Sequence, residues 1–220
     1  MTLLALAFSA LGAAHPDAAP PAAEADVQAW IRVARSGDSG GARALYRAYV
    51  GRVYRTVRPL CADDAEAEDV TQEAFARALE ALDRYEAREG TRFIAWLSTV
   101  ALNVARRSRR RRVRARPMDP VVLAQLADEE APQLSEVASE AIDAVVLRAA
   151  LLRALETLGE REREVVTLRY GGELDASEIA ALTGQTHANV RKIEQRARGA
   201  LRAELDRALA PRATPRRTPR

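Results

Sequence analysis

The sequence predicts an all-α protein: two small helical domains joined by a flexible acidic linker. Three observations carry that reading. Apolar residues recur with the 3.6-residue period of a helix, and no segment of the 220 residues alternates as a strand does. Residues 117–143 hold seven acids and no basic residue, interrupted by Pro117, Pro120 and Pro132, which is the composition of a tether. Residues 175–209 carry the capped start, tight turn and second helix of a helix-turn-helix.

The elements follow in order. Residues 3–12 are an apolar run before Ala13 and Ala14, like the middle of a secretory signal, but the first arginine or lysine is Arg32. The positive flank of such a signal is missing, and the run is too short to span a bilayer. Residues 1–23 are therefore expected to be a disordered extension or the product of a misassigned start codon, and the protein is read as cytoplasmic with no membrane insertion. Val27, Trp30, Ile31 and Ala34 then form one face of a short helix, which the glycine-rich residues 36–41 break. A second helix places Leu45, Tyr49, Val53, Val57 and Leu60 on one stripe. Asp63 with Glu66 resembles a capping box opening a third, whose core stripe reads Val70, Ala74, Phe75, Ala78, Leu79 and Leu82. Residues 83–91 read as a polar loop. The fourth helix buries Phe93, Trp96, Leu97, Val100 and Val104 and carries its arginines at the C-terminal end, where the helix dipole favours cations. Past the linker, helicity resumes over 145–158, 160–169, 176–182 and 187–209. Residues 210–220 form a basic tail expected to be disordered. The domains are thus 24–116 and 144–209, each large enough for a modest core.

Charge is divided sharply between neighbouring segments. Residues 61–91 contain ten acids and three arginines, whereas residues 92–116 contain nine arginines and no acid. The formal net charge of +3 hides this asymmetry. An acidic face suits a positively charged protein partner, and a basic one suits nucleic acid. Lys192 is the one lysine, a bias that reads as GC-rich coding more than as choice of arginine at particular sites. The single cysteine, Cys61, excludes an internal disulfide and fits a reducing compartment. With only His15 and His187, a Cys/His zinc site has no ligands. The chain has no P-loop, nucleophile–base pair or metal cluster, so no cofactor and no enzymatic activity are expected.

The strongest local signal lies in the C-terminal domain. Asp175 and Glu178 form a capping box, Gly184 suits the left-handed residue of a turn, and Thr186 caps the next helix. With Val190, Ile193, Ala197 and Leu201 turned to the core, His187, Asn189, Arg191, Lys192, Gln195 and Arg196 lie at or near the groove side. Arg and Gln there suit paired hydrogen bonds to guanine and adenine edges. The plain alternative is a solvated amphipathic helix, which the turn chemistry disfavours. The cluster at residues 106–116 is less specific, because arginine runs bind phosphate indiscriminately and many are merely solvated. Glu66, Asp69, Gln72, Glu73 and Glu80 form the outward side of the acidic helix.

Residues 67–75 (Ala-Glu-Asp-Val-Thr-Gln-Glu-Ala-Phe) and 93–97 (Phe-Ile-Ala-Trp-Leu) with Asn103 resemble region 2 of bacterial RNA polymerase sigma factors of the sigma-70 family. Residues 155–165 (Leu-Glu-Thr-Leu-Gly-Glu-Arg-Glu-Arg-Glu-Val) and the helix-turn-helix resemble region 4. With two regions and a short tether, the chain is similar to the extracytoplasmic-function group over residues 24–208. The resemblance implies a transcription initiation factor that gives core polymerase its promoter choice. It implies that Asp69, Gln72 and Glu73 dock on the β′ clamp helices. Tyr85, Asn103, Arg106, Arg107 and Arg110 would bind the single-stranded −10 element, with the 83–91 loop around a flipped base. Region 4 would bind the β flap and read the −35 duplex through Thr186, His187, Asn189, Arg191, Lys192, Gln195 and Arg196. The linker would thread toward the RNA exit channel, and an anti-sigma factor is a further partner in view. Gly159 departs from the family's frequent proline, and residues 191–195 look more like a primary sigma factor. The apolar N-terminal run is foreign to the family. The rival reading is a stand-alone helix-turn-helix regulator binding DNA without polymerase, which gives no reason for the acidic face.

Overall fold

A computed structural model describes residues 3–11, 23–87, 91–115 and 139–209. Nine α-helices are described: α1 (Leu3–Leu11), α2 (Glu24–Arg35), α3 (Ser39–Val57), α4 (Asp64–Glu80), α5 (Phe93–Ala115), α6 (Ser139–Glu156), α7 (Glu160–Val166), α8 (Ala176–Thr183) and α9 (His187–Leu209). No strand occurs among the described residues. None of these helices is long and apolar enough to cross a membrane.

Local chemistry explains most boundaries. Gly37 at φ 85° ends α2, and Asp38 caps α3 by accepting from the Gly40 N–H at 2.7 Å. Gly41 is required where α3 meets α2, because a Cβ there would lie 2.4 Å from the Trp30 carbonyl oxygen. The Asp63 carboxylate caps α4 through the Glu66 N–H at 2.8 Å, while Glu66 reaches past it to the Ala62 N–H at 2.6 Å. The α4 face toward the core is Ala67, Val70, Thr71, Ala74, Phe75 and Ala78. Leu79, expected on that stripe, is 38% exposed, since the helix ends at Glu80 and the chain turns into a 3-10 segment that buries Leu82 instead. The helix expected over 160–169 is split: α7 stops at Val166 and a π turn spans Thr167–Gly171. The fourth-helix face is as expected, with Phe93 and Leu97 buried and Trp96 and Val100 packed against the core.

Three features depart from the expected arrangement. The units of residues 24–115 and 139–209 pack against each other, with Val165, Leu168, Leu174, Ile179, Val190 and Ile193 joining the core that contains Val53, Phe75, Phe93 and Leu97. Burial of apolar surface, which is non-directional, joins them where the sequence suggested separation by the linker. Residues 3–11, expected as part of a disordered or foreign extension, form α1. Its Leu4, Ala7, Phe8 and Leu11 are buried in a second cluster with Leu151, Leu155, Leu201 and Leu205. An apolar run becomes ordered when it finds an apolar groove, and the α6–α9 pair supplies one. Helix α6 begins at Ser139, inside the segment read as linker. The expectations for residues 12–22, 88–90, 117–138 and 210–220 lie outside the described residues.

Candidate nucleic-acid interface

The helix-turn-helix is built as its residue types require. The Asp175 carboxylate accepts from the N–H groups of Ser177 and Glu178 at 2.8 and 2.9 Å, and the Glu178 carboxylate accepts from the Asp175 N–H at 2.8 Å. Gly184 adopts φ 66° and closes α8, a conformation in which a Cβ is strained. The Thr186 hydroxyl accepts from the Asn189 N–H at 3.2 Å, fixing the start of α9. Val190, Ile193, Ala197 and Leu201 are buried, so the opposite side of α9 faces solvent. Thr186, His187, Asn189, Arg191, Lys192, Gln195 and Arg196 are all exposed there. Arg196 makes a loose ion pair with Glu162 at 3.7 Å, and Asn189 donates to the Gln185 side chain at 2.7 Å. The remaining predicted groups face outward, as an edge-reading surface needs.

Helix α5 divides its arginines by direction. Asn103, Arg107 and Arg110 fall at helical spacings of four and three, so they form one exposed stripe. Neither Arg107 nor Arg110 has an ion pair among the described residues. Four other α5 arginines reach acids of the protein, while Arg114 is exposed. Arg112 pairs with Glu66, whose carboxylate also accepts from the Ser108 hydroxyl at 2.7 Å, and Arg111 reaches Glu73 at 3.6 Å. Arg106, predicted to bind DNA, instead forks onto the Glu164 carboxylate with two hydrogen bonds of 2.8 Å. Glu164 is only 8% exposed, and its hydrogen bonds raise the Arg106 pKa further. Tyr85 also departs from expectation. It is 6% exposed, edge-on to Phe93 at 5.2 Å and tilted against Trp96 at 5.0 Å, so in this arrangement its ring is core rather than a platform for bases.

On α4, Asp69 and Gln72 are exposed beside each other, while Glu73 is half-buried and held by Arg77 at 2.5 Å. Asp64, at the helix start, accepts from Tyr54 at 2.9 Å and Arg58 at 2.5 Å and also pairs with Arg148. Burial pushes its pKa up, but those hydrogen bonds outweigh burial and hold it below its usual value.

Sequence reasoning missed the residues that join the two units. Besides Arg106–Glu164, Arg92 forks onto Glu178 at 2.9 and 2.6 Å and donates to the Glu173 carbonyl at 2.8 Å. Arg52 and Arg55 hold the Glu173 carboxylate at 3.0 and 2.9 Å, and Arg109 pairs with Glu160. A Cβ on Gly171 would lie 2.7 Å from the Arg55 carbonyl oxygen, so the π turn and α3 meet backbone to backbone. Pairs separated by 51 (Arg109–Glu160) to 121 (Arg52–Glu173) residues leave no local signature.

The chain matches the family Sigma-70 region 2 over residues 45–115 and Sigma-70, region 4 over residues 154–203. It is 32% identical over 181 residues to the ECF RNA polymerase sigma factor BldN of Streptomyces coelicolor, covering 80% of this chain and 66% of that protein. It is 31% identical to the RNA polymerase sigma-H factor of Pseudomonas aeruginosa, over 86% of this chain and 95% of the relative. In fold it is similar to the sigma factor RpoE of Bartonella quintana, solved in complex with the anti-sigma factor NepR. That similarity has a TM-score of 0.55 at 21% identity, covering 74% of this chain and 96% of the other.

Proposed function

Because this chain belongs to the extracytoplasmic-function RNA polymerase sigma factors of the sigma-70 family, we propose that it joins core RNA polymerase in the cytoplasm and directs it to specific promoters. It acts by binding and positioning and carries no catalysis of its own. The observation that carries this reading is the exposed polar side of α9 behind a fully capped helix-turn-helix.

In this reading α9 enters the major groove of the −35 element. Arg191 and Gln195 read base edges, His187, Asn189 and Lys192 flank them, and Arg196 and the Thr186 end of the helix hold phosphate. The Asn103, Arg107 and Arg110 stripe takes the single non-template strand of the −10 element, with guanidinium groups on its phosphates. Asp69, Gln72 and Glu73 dock on the β′ clamp helices, where acids complement a basic partner. The C-terminal unit also binds the β flap. An anti-sigma factor, the partner in the Bartonella complex, is the class of regulator this reading adds.

Arg106 cannot hold Glu164 and a phosphate with the same fork. Full −10 binding therefore requires the two units to separate, so the described arrangement is the resting one. Retention of core polymerase on the immobilised protein, followed by transcription in vitro on genomic promoters, tests the proposal. Specific transcripts that need both proteins are expected. Tight DNA binding with no polymerase retained and no transcript would refute it.

A further inference from the structure

The sigma-factor reading leaves α1 without a role, although it is among the best-buried short segments of the molecule. Its sequence, Leu-Leu-Ala-Leu-Ala-Phe-Ser-Ala-Leu, contains no charged residue. Leu4, Ala7, Phe8 and Leu11 follow helical spacing and are all buried, whereas Leu6 on the other side is exposed. The groove that receives them is formed by Leu151 and Leu155 of α6 and Leu201 and Leu205 of α9. The Phe8 ring stacks on Tyr170 of the π turn, with centroids 5.6 Å apart and planes inclined by 26°.

The placement of α1 bridges the two units. It packs on α6 and α9, and it also touches the π turn and α3. Ala5 and Ser9 line a cleft shared with Arg55 of α3 and with Arg169, Tyr170 and Glu173 of the C-terminal unit. That is beside the Arg52–Glu173–Arg55 ion pairs and the close approach of Gly171 to α3. A helix of nine residues does not persist alone in water, so α1 is helical because it is docked.

We propose that α1 is a cis-acting staple: an apolar helix seated in the α6–α9 groove that holds the C-terminal unit closed on the N-terminal unit. Undocking it opens the units and frees Arg92, Arg106 and Arg109 from their glutamates. The two kinds of contact respond differently to salt. Partly exposed ion pairs weaken as ionic strength rises, whereas the uncharged α1 contact does not. With α1 seated, closure resists salt; without it, closure rests on the ion pairs and on the direct apolar contact of Val165, Leu168 and Ile179 with the N-terminal unit, without the added contact of α1 with α3.

The test is energy transfer between dyes on S36C and A200C, both exposed positions, in a C61S background. The full chain is compared with one lacking residues 1–22 and with F8D, which places a charge in the groove. Retained helical circular dichroism identifies the variants that still fold. High transfer persisting into molar salt is expected for the full chain. Both variants should lose transfer, and lose it at lower salt. A peptide of residues 1–12 carrying a soluble tag should bind the truncated protein and restore transfer. Equal transfer and equal salt response in all three proteins, or no binding of the peptide, would overturn the proposal. The measurement uses no polymerase and no DNA, so its outcome is separate from that of the sigma-factor reading, on which only the consequence for promoter binding rests.

Discussion

Alanine at Gly171 should loosen the junction between the two units, and the structure fixes the scale of the effect. The backbone at Gly171 is not left-handed, so alanine meets no conformational penalty there. The cost is steric: the new Cβ would lie 2.7 Å from the Arg55 carbonyl oxygen, 2.8 Å from its carbon and 2.9 Å from the Thr56 nitrogen. These are backbone atoms of α3, which cannot swing aside as a side chain would. Overpacking of this kind costs about 1–3 kcal/mol, and small shifts of the facing backbones relieve part of it. A net loss of about 1–2 kcal/mol shifts the closed–open equilibrium by roughly 5- to 30-fold. Gly199 provides the control, since it lies within α9 with nothing within 4 Å of its would-be Cβ. Alanine there should stabilise by about 0.5–1 kcal/mol. Amide hydrogen exchange resolved along the chain measures both. G171A should lose protection selectively at residues 52–57 and 165–172, and G199A should not. Unchanged protection in G171A, or a uniform loss across the molecule, would refute the view that this approach is a close-packed junction between units.

Four further outcomes follow from the same geometry. E164Q removes the charge that Arg106 grips; because that arginine is 39% exposed, the closed state should weaken by only about 1 kcal/mol, read as more open protein at low salt. Charge reversal of Asp69 and Glu73 should weaken competition for core polymerase while leaving the melting temperature within a few degrees, whereas R191A and Q195A should each cost about 1–3 kcal/mol and relax one −35 position in selection from randomised sites. Cys61 lines the cleft between the units, and burial pushes its thiol up to about 12, so below pH 9 it should react with iodoacetamide far more slowly than a free thiol, and opening of the units should accelerate it.

Much of the architecture was legible because it is local. Helical periodicity gave the stripes of α2 to α5, and the capping residues Asp63, Asp175 and Thr186 with Gly184 marked the boundaries that mattered for α4, α8 and α9. The exposed side of α9 followed directly, since four buried apolar residues on one face of a helix turn the opposite face to solvent. Tyr85 was misplaced for a physical reason: an aromatic in a polar, acidic stretch looks exposed, but Arg35 donates to the carbonyls of Leu82 and Tyr85 and draws that loop onto the core. The role of residues 3–11 was hidden because a short apolar run is ambiguous until its groove is known. The groove belongs to α6 and α9, far along the chain.

The same distance effect hid the meaning of the charge switch. Read locally, the arginines of α5 are a basic surface and the acids of α4 a docking face. In the fold, the C-terminal unit supplies Glu160, Glu164 and Glu178 to arginines of the segment that should meet DNA, with Glu173 holding Arg52 and Arg55 of α3 nearby. A glutamate and a phosphate cannot hold the same arginine fork, so under the proposed function the Arg106–Glu164 pair competes with the promoter. Its bidentate geometry makes it a strong competitor, while Arg107 and Arg110, which hold no ion pair among the described residues, are the groups proposed for the first contact. The proposed function therefore has two stages, encounter through the exposed stripe and full engagement after the units part, set by which carboxylates face α5 when the chain is closed.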